Sequence, residues 1–215
     1  MFPHSTVWRL LALPLVLASA CDPPDPDAAL AAEVLAAGDD AHCDHTPQST
    51  PFERTQVELS LPPMSLIDQN GEAYALSRLE TSDRPVALNF IFATCTTICP
   101  VMTATFSQLR DELGDDADRV HMVSITIDPS HDTPAVLADY ARKHNAPADW
   151  LFLSGPTEDV EVALKAFDAW TPTKFNHSPI TLLRAPGQSD WTRLDGLGSG
   201  TALAEQVRPM LAKTL

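Results

Sequence analysis

The stretch Pro85-Val86-Ala87-Leu88-Asn89-Phe90-Ile91-Phe92-Ala93-Thr94-Cys95-Thr96-Thr97-Ile98-Cys99-Pro100 decides how this chain folds. Residues 85–92 are a short, nearly continuous apolar run, the pattern of a central strand covered on both faces. Two cysteines follow at once. Val101 to Leu113 then turns to helical spacing, with Met102, Phe106, Leu109 and Leu113 on one side. A buried strand that runs through a cysteine pair into a helix places both thiols at the carboxyl end of a sheet, where ligand chemistry gathers in α/β folds.

Outward from this core, Ser65 to Tyr74 carries an Asn70-Gly71 turn between two strand-like runs, a hairpin signal. Val120 to Ile127 reads as a second buried strand ending at Asp128-Pro129. Thr133-Pro134 opens a helix over 134–144, with Thr as N-cap and Pro as first residue. Trp150 to Leu153 is a short strand, and a helix begins near Thr157 with acids in its first turn. Ile180–Leu183 and Trp191–Leu194 form a closing hairpin around Gly187. A last helix covers 200–213, with Pro209 expected to kink it. The order predicts an α/β three-layer sandwich with a central mixed sheet and an N-terminal hairpin. The chain shows no internal repeats and no dinucleotide- or phosphate-binding glycine motif.

The 215 residues suit one domain plus extra chain, and a hydrophobic content of 44% suits a packed core. A formal charge of −15 argues against nucleic acid as a partner, because phosphate binding needs clustered Lys and Arg.

Residues 1–20 read as an export signal: Arg9, the apolar run Leu10–Leu17, then Ala18-Ser19-Ala20. Cys21 follows directly, the arrangement of a bacterial lipoprotein signal in which that cysteine is lipidated. Ala18 departs from the Leu more common at that place. An ordinary cleaved signal is the other reading, and either puts the folded part outside the cytoplasm, in the cell envelope. Residues 21–55, dense in Pro, Ala, Asp and Glu, read as a flexible tether with a short helix over Ala28–Ala37, and 56–215 as the folded domain. Within the tether, His42-Cys43-Asp44-His45 gathers two imidazoles, a thiol and a carboxylate, able to capture copper weakly or to supply a resolving thiol; a solvated linker without a task is the plainer reading.

Cys95 and Cys99 are four apart, so a helix starting near Ile98 puts both on one face of its first turn. Free amides and the positive helix end there lower a thiol's pKa. Thiolates at this spacing either close into a disulfide or grip a soft metal. The residues alone leave both open.

Asn89 to Pro100, Ser124 to Pro134 and Phe175-Asn176-His177-Ser178-Pro179 together resemble the SCO/SenC family, in the family's order and over about Leu66 to Leu211. The resemblance implies a thioredoxin-like fold, membrane tethering, and copper, as Cu(I) or Cu(II), held by Cys95, Cys99 and His177. It also implies copper delivery to, or reduction of, the binuclear copper centre of cytochrome c oxidase subunit II. His177 stands just before the Ile180 strand, a place expected to face the cysteine helix. Pro179 is a candidate cis-proline beside the cysteines. Asp128 ends a central strand on the same side and has three possible tasks: tuning the cysteines, contacting a partner, or capping the turn with Asp132 and Thr133, the last being favoured. The competing enzyme reading is a periplasmic thiol-disulfide oxidoreductase, for which Cys95 and Cys99 suffice. A peroxidase is disfavoured, since such enzymes usually pair a single Thr-x-x-Cys cysteine with an Arg.

Overall fold

The sheet is built around the apolar run. In chain order the strands are β1 (Glu53–Val57), β2 (Ser65–Asp68), β3 (Ala73–Ala75), β4 (Val86–Ile91), β5 (His121–Thr126), β6 (Leu151–Ser154), β7 (Ile180–Arg184) and β8 (Trp191–Asp195). The helices are α1 (Ser77–Glu80), α2 (Ile98–Leu113), α3 (Pro134–Lys143), α4 (Thr157–Ala166) and α5 (Gly200–Leu211), with 3₁₀ turns at Gly114–Arg119 and Lys174–Asn176. This is a computed structural model; the chain divides into units Met1–Thr46 and Pro47–Leu215, and residues 52–212 are those it describes.

One mixed sheet orders its strands β1-β8-β7-β4-β5-β6-β2-β3. β4 runs parallel to β5, with Asn89 opposite Ser124, and antiparallel to β7, with Asn89 opposite Thr181. Every residue of β4 and β5 is buried, as a strand covered on both faces requires. Successive side chains feed opposite cores. Ala87 and Ile91 pack with Phe106 and Leu109 of α2, Leu137 of α3 and Leu203 and Val207 of α5. Val86, Leu88 and Phe90 pack with Leu79 of α1 and Val160 and Leu164 of α4. Helices thus cover both faces, giving the expected three layers. The structure fits the α/β, thioredoxin-like expectation.

Local chemistry explains the elements. At the β2–β3 hairpin, Gly71 takes φ +85°, and the Asp68 carboxylate accepts from the amides of Asn70 (2.8 Å) and Glu72 (2.9 Å). Thr133 caps α3 by accepting from the Val136 amide, and Pro134 follows as its first residue. α2 buries Met102, Phe106, Leu109 and Leu113, each contributing roughly 1.5–3 kcal/mol. Phe106 stacks on Trp150 at 5.7 Å between centroids.

Three details differ from the sequence reading. β1 begins at Glu53, inside the segment read as tether. It is an edge strand of exposed residues held by pairing to β8, so burial leaves no apolar pattern to read. α5 ends at Leu211 with Pro209 inside its last turn, where the ring removes the amide that would donate to the Glu205 carbonyl. No peptide bond among the described residues is cis, so Pro179 is trans. The expectations for the signal segment, Cys21, the Ala28–Ala37 helix and the His42, Cys43, His45 cluster lie outside the described residues.

α5 sits on α2 through a glycine contact. A Cβ on Gly200 would lie 2.2 Å from the Gln108 Cβ and 2.9 Å from the Leu109 amide nitrogen. Gly200→Ala is therefore expected to force the helices apart and to lower the urea unfolding free energy by roughly 2–3 kcal/mol, the usual cost of overpacking. An unchanged midpoint would contradict this close approach.

Candidate functional site

The site grows from the end of β4. After Phe92 the chain turns, the Cys95 amide donating to the Phe92 carbonyl at 3.1 Å, and α2 starts at Ile98. Thr97 occupies the N-cap place but offers no side-chain cap. The Cys95 sulfur serves instead, accepting the Cys99 amide at 3.4 Å, with the Thr97 hydroxyl 3.7 Å away. Pro100, in the same first turn, has no N–H to satisfy.

This geometry separates the two thiols. Both are free and buried, Cys95 at 9% exposure and Cys99 at 0%. Desolvation pushes the Cys95 thiol up, but the Cys99 and Thr97 amides, with the Cys99 thiol and Thr97 hydroxyl, outweigh it and bring its pKa down to about 7. Cys99 moves the other way, to about 12. Burial is the main cause, and the neighbouring Cys95 and the Asp132 carboxylate add to it. Cys95 is therefore about half thiolate at neutral pH, and Cys99 a protonated partner beneath it.

Asp132 is a site residue whose part the sequence reading confined to a turn. It is fully buried, and its Oδ2 accepts from the Ala93 amide at 3.0 Å and the Thr126 hydroxyl at 2.6 Å. One carboxylate thus ties the cysteine loop to the end of β5. Its Oδ1 has no partner, and burial raises its pKa. Tyr140 closes the far side, its hydroxyl 2.7 Å from that of Thr103 on α2. Met102 is core, at 3% exposure.

Asp128 lies in the turn after β5. Its carbonyl accepts from the amides of His131 (3.0 Å) and Asp132 (2.9 Å). Its carboxylate pairs with Lys174 and accepts from Ser130 Oγ at 3.1 Å and His131 Nδ1 at 3.0 Å. Desolvation opposes ionisation there, but Lys174, His131 and Ser130 outweigh it and hold the carboxyl below its usual range.

His177 is not gathered with the two cysteines into a three-ligand cluster. It follows the Lys174–Asn176 turn and is buried at 8% exposure, its ring edge-to-face with Phe90 at 6.2 Å and 78°. Phe90 belongs to the core under α4, whereas Cys95 and Cys99 belong to the core under α2. Burial lowers the imidazole pKa, and a hydrogen bond with the Phe90 backbone opposes that shift. Among the described residues, no three His, Cys, Asp or Glu side chains are gathered as a metal site. The structure brings Cys95 and Cys99 together and leaves His177 apart.

The SCO1/SenC family model matches residues 53–212, three quarters of the chain and all of the sheet and helices above. The chain belongs to the SCO1/SenC family. A curated relative, the SCO1 protein homolog of Bacillus subtilis strain 168, is 34% identical over 110 residues, covering 50% of this chain and 56% of that protein. The chain spans about half the length of the curated relatives it matches. Bradyrhizobium japonicum ScoI, solved with copper bound, aligns with TM-score 0.58 at 23% identity over 70% of this chain and 99% of that one. BsSco, described as having a disulfide switch and as a member of the Sco family of cytochrome c oxidase assembly proteins, aligns with TM-score 0.61 at 24% identity over 74% of this chain and 96% of that one. At these identities the structural likeness establishes the fold of this SCO1/SenC protein.

The thiol asymmetry is measurable. Alkylation of Cys95 in the folded chain, followed by peptide mass spectrometry, is expected to rise with pH about a midpoint near 7. At pH 6 it should run about tenfold slower than at its plateau, since the thiolate is the nucleophile. Cys99 should stay unlabelled until the chain is unfolded. A Cys95 midpoint at the ordinary thiol value would contradict the helix-start geometry.

Proposed function

We propose that this SCO1/SenC protein binds copper through Cys95 and Cys99 and carries it to the binuclear copper centre of cytochrome c oxidase subunit II during assembly of the enzyme. The observation that carries the reading is the Cys95 sulfur held at a helix start by the Cys99 amide, with a pKa of about 7. A thiolate available at neutral pH next to a second thiol is a donor set for Cu(I), a soft cation. Copper is the cargo, so the site has to release it as well as hold it. Copper bound in Bradyrhizobium ScoI and the placing of BsSco among oxidase assembly proteins support the same reading.

His177 is the proposed third ligand. Burial lowers its pKa and so favours the neutral imidazole, the form that binds a metal. On this reading it joins the thiolates only after leaving Phe90. We place the domain on the periplasmic side of a bacterial membrane, anchored through lipid on Cys21, which leaves residues 22–51 to span the distance to the client.

The unequal thiols also favour a second reading, a thiol-disulfide oxidoreductase. The Cys95 thiolate would attack a client disulfide and release one client thiolate. Cys99, giving up its proton, would then displace the second client sulfur and close a Cys95–Cys99 disulfide. The client gains two electrons and this chain loses two. The two readings exclude each other at any one moment, because a closed disulfide leaves no thiolate to hold copper.

Anaerobic titration of the reduced full chain with Cu(I) and Cu(II) separates them. On the chaperone reading, one equivalent of Cu(I) binds, and Cys95→Ser lowers affinity about 100-fold, roughly 2.8 kcal/mol. His177→Ala is expected to weaken Cu(II) more than Cu(I), since the imidazole is the harder donor. Failure of the reduced chain to bind either ion, with intact disulfide exchange, would leave the oxidoreductase.

A further inference from the structure

The loop that carries Cys95 has few ties to the rest of the molecule. The Cys95 amide donates to the Phe92 carbonyl, and the Cys95 sulfur meets the Thr97 hydroxyl and the Cys99 amide. These bonds stay within residues 92–97 and the helix they open. Among the described residues one hydrogen bond leaves that loop, from the Ala93 amide to Asp132 Oδ2 at 3.0 Å. The Thr126 hydroxyl donates to the same oxygen at 2.6 Å, and Thr126 is itself paired with Ile91. The Asp132 amide donates to the Asp128 carbonyl at 2.9 Å. A cap or a simple turn does not account for this side chain. Thr133 caps α3, whereas the Asp132 carboxylate bonds Ala93, 39 positions earlier, and the end of β5. It is fully buried, a cost that strong bonds to an ionised acceptor have to offset.

We propose that Asp132 is a positioning residue for the cysteine pair: through the Ala93 amide it fixes the loop that brings the Cys95 sulfur to Cys99, so that the two sulfurs act as one unit. It acts through the loop and hydrogen-bonds neither sulfur. The consequence is a higher effective concentration of one thiol at the other. Two thiols held at one helix start close a disulfide, or share one soft cation, more readily than two thiols on a loose loop. On closing, each sulfur gives up one proton and one electron and the S–S bond forms. An oxidised partner disulfide takes both electrons and both protons and becomes two thiols. The copper part rests on the function proposed above; the thiol part does not.

The test uses the full chain as wild type, Asp132→Ala, Asp132→Asn, Thr126→Val and Gly200→Ala. Each is equilibrated with mixtures of oxidised and reduced glutathione, and the Cys95–Cys99 disulfide is counted by peptide mass spectrometry after acid quenching. Asp132→Ala is expected to lower the closure constant about tenfold, which makes the reduction potential about 30 mV more positive. Asp132→Asn keeps an oxygen for the Ala93 amide and should stay within about twofold of wild type. Gly200→Ala strains α2 against α5 away from the loop, reports general loosening, and should also stay near wild type. Equal constants in wild type and Asp132→Ala would overturn the proposal. So would an Asp132→Asn constant as low as that of Asp132→Ala, or an equal fall in Gly200→Ala. Should Asp132→Ala not fold, Thr126→Val decides. It removes one of the two bonds on Oδ2 and is expected to lower the constant about threefold; no change there would also overturn the proposal. Anaerobic Cu(I) titration adds a second arm, with affinity about tenfold lower in Asp132→Ala and restored in Asp132→Asn. If no form binds copper the proposed function fails, while the glutathione arm still decides the positioning role.

Discussion

The amide of Cys99 donates to the sulfur of Cys95, and most of what this molecule can do follows from that contact. A helix must begin somewhere, and its first amides must find acceptors. Here the acceptor is a sulfur from the loop, in place of the usual hydroxyl or carboxylate of a cap residue. The contact stabilises the Cys95 thiolate and orients Cys99 beneath it, while burial of Cys99 keeps the second thiol protonated. One geometric fact therefore makes a pair in which one sulfur is ready and the other is held back. Both metal capture and disulfide exchange call for such a pair.

The sheet supplies the second constraint. Its central strands send alternate side chains into two separate cores, with the cysteines over one and His177 leaning on Phe90 in the other. The two thiols stand together, and among the described residues no third His, Cys, Asp or Glu is gathered with them as a metal site. The turn from Asp128 to Asp132 stands between the parts. Asp132 reaches back to the cysteine loop through Ala93, and Asp128 reaches across to the histidine turn through Lys174. Five residues after β5 hold both halves of the site in place.

The central strands, the cysteine-bearing helix start and the order of elements were legible in the sequence. They rest on local rules: a continuous apolar run, helical spacing after it, and a Thr-Pro helix start. β1 was not legible, since an edge strand of exposed residues is held by backbone pairing that leaves no pattern in side chains. Within the site, Cys95 and Cys99 were found from spacing alone. His177 was singled out by family resemblance, whereas its contact with Phe90 belongs to the fold and left no mark in the sequence pattern. Asp132 and Lys174 were underread for a related reason. Ala93 lies 39 positions from Asp132 and Asp128 lies 46 from Lys174, so these partners become neighbours only in the fold. The one available signal for Asp132 was its place in the Asp128-Pro-Ser-His-Asp-Thr-Pro run, which a capping role explains equally well.

That Cys95 and Cys99 are the copper-holding pair, joined by the imidazole of His177, is most directly tested by X-ray absorption at the copper edge of the loaded full chain. Two sulfur scatterers and one imidazole nitrogen around each copper are expected, with the imidazole signal lost in His177→Ala. A spectrum fitted by nitrogen and oxygen alone, or one unchanged by Cys95→Ser, would contradict the assignment.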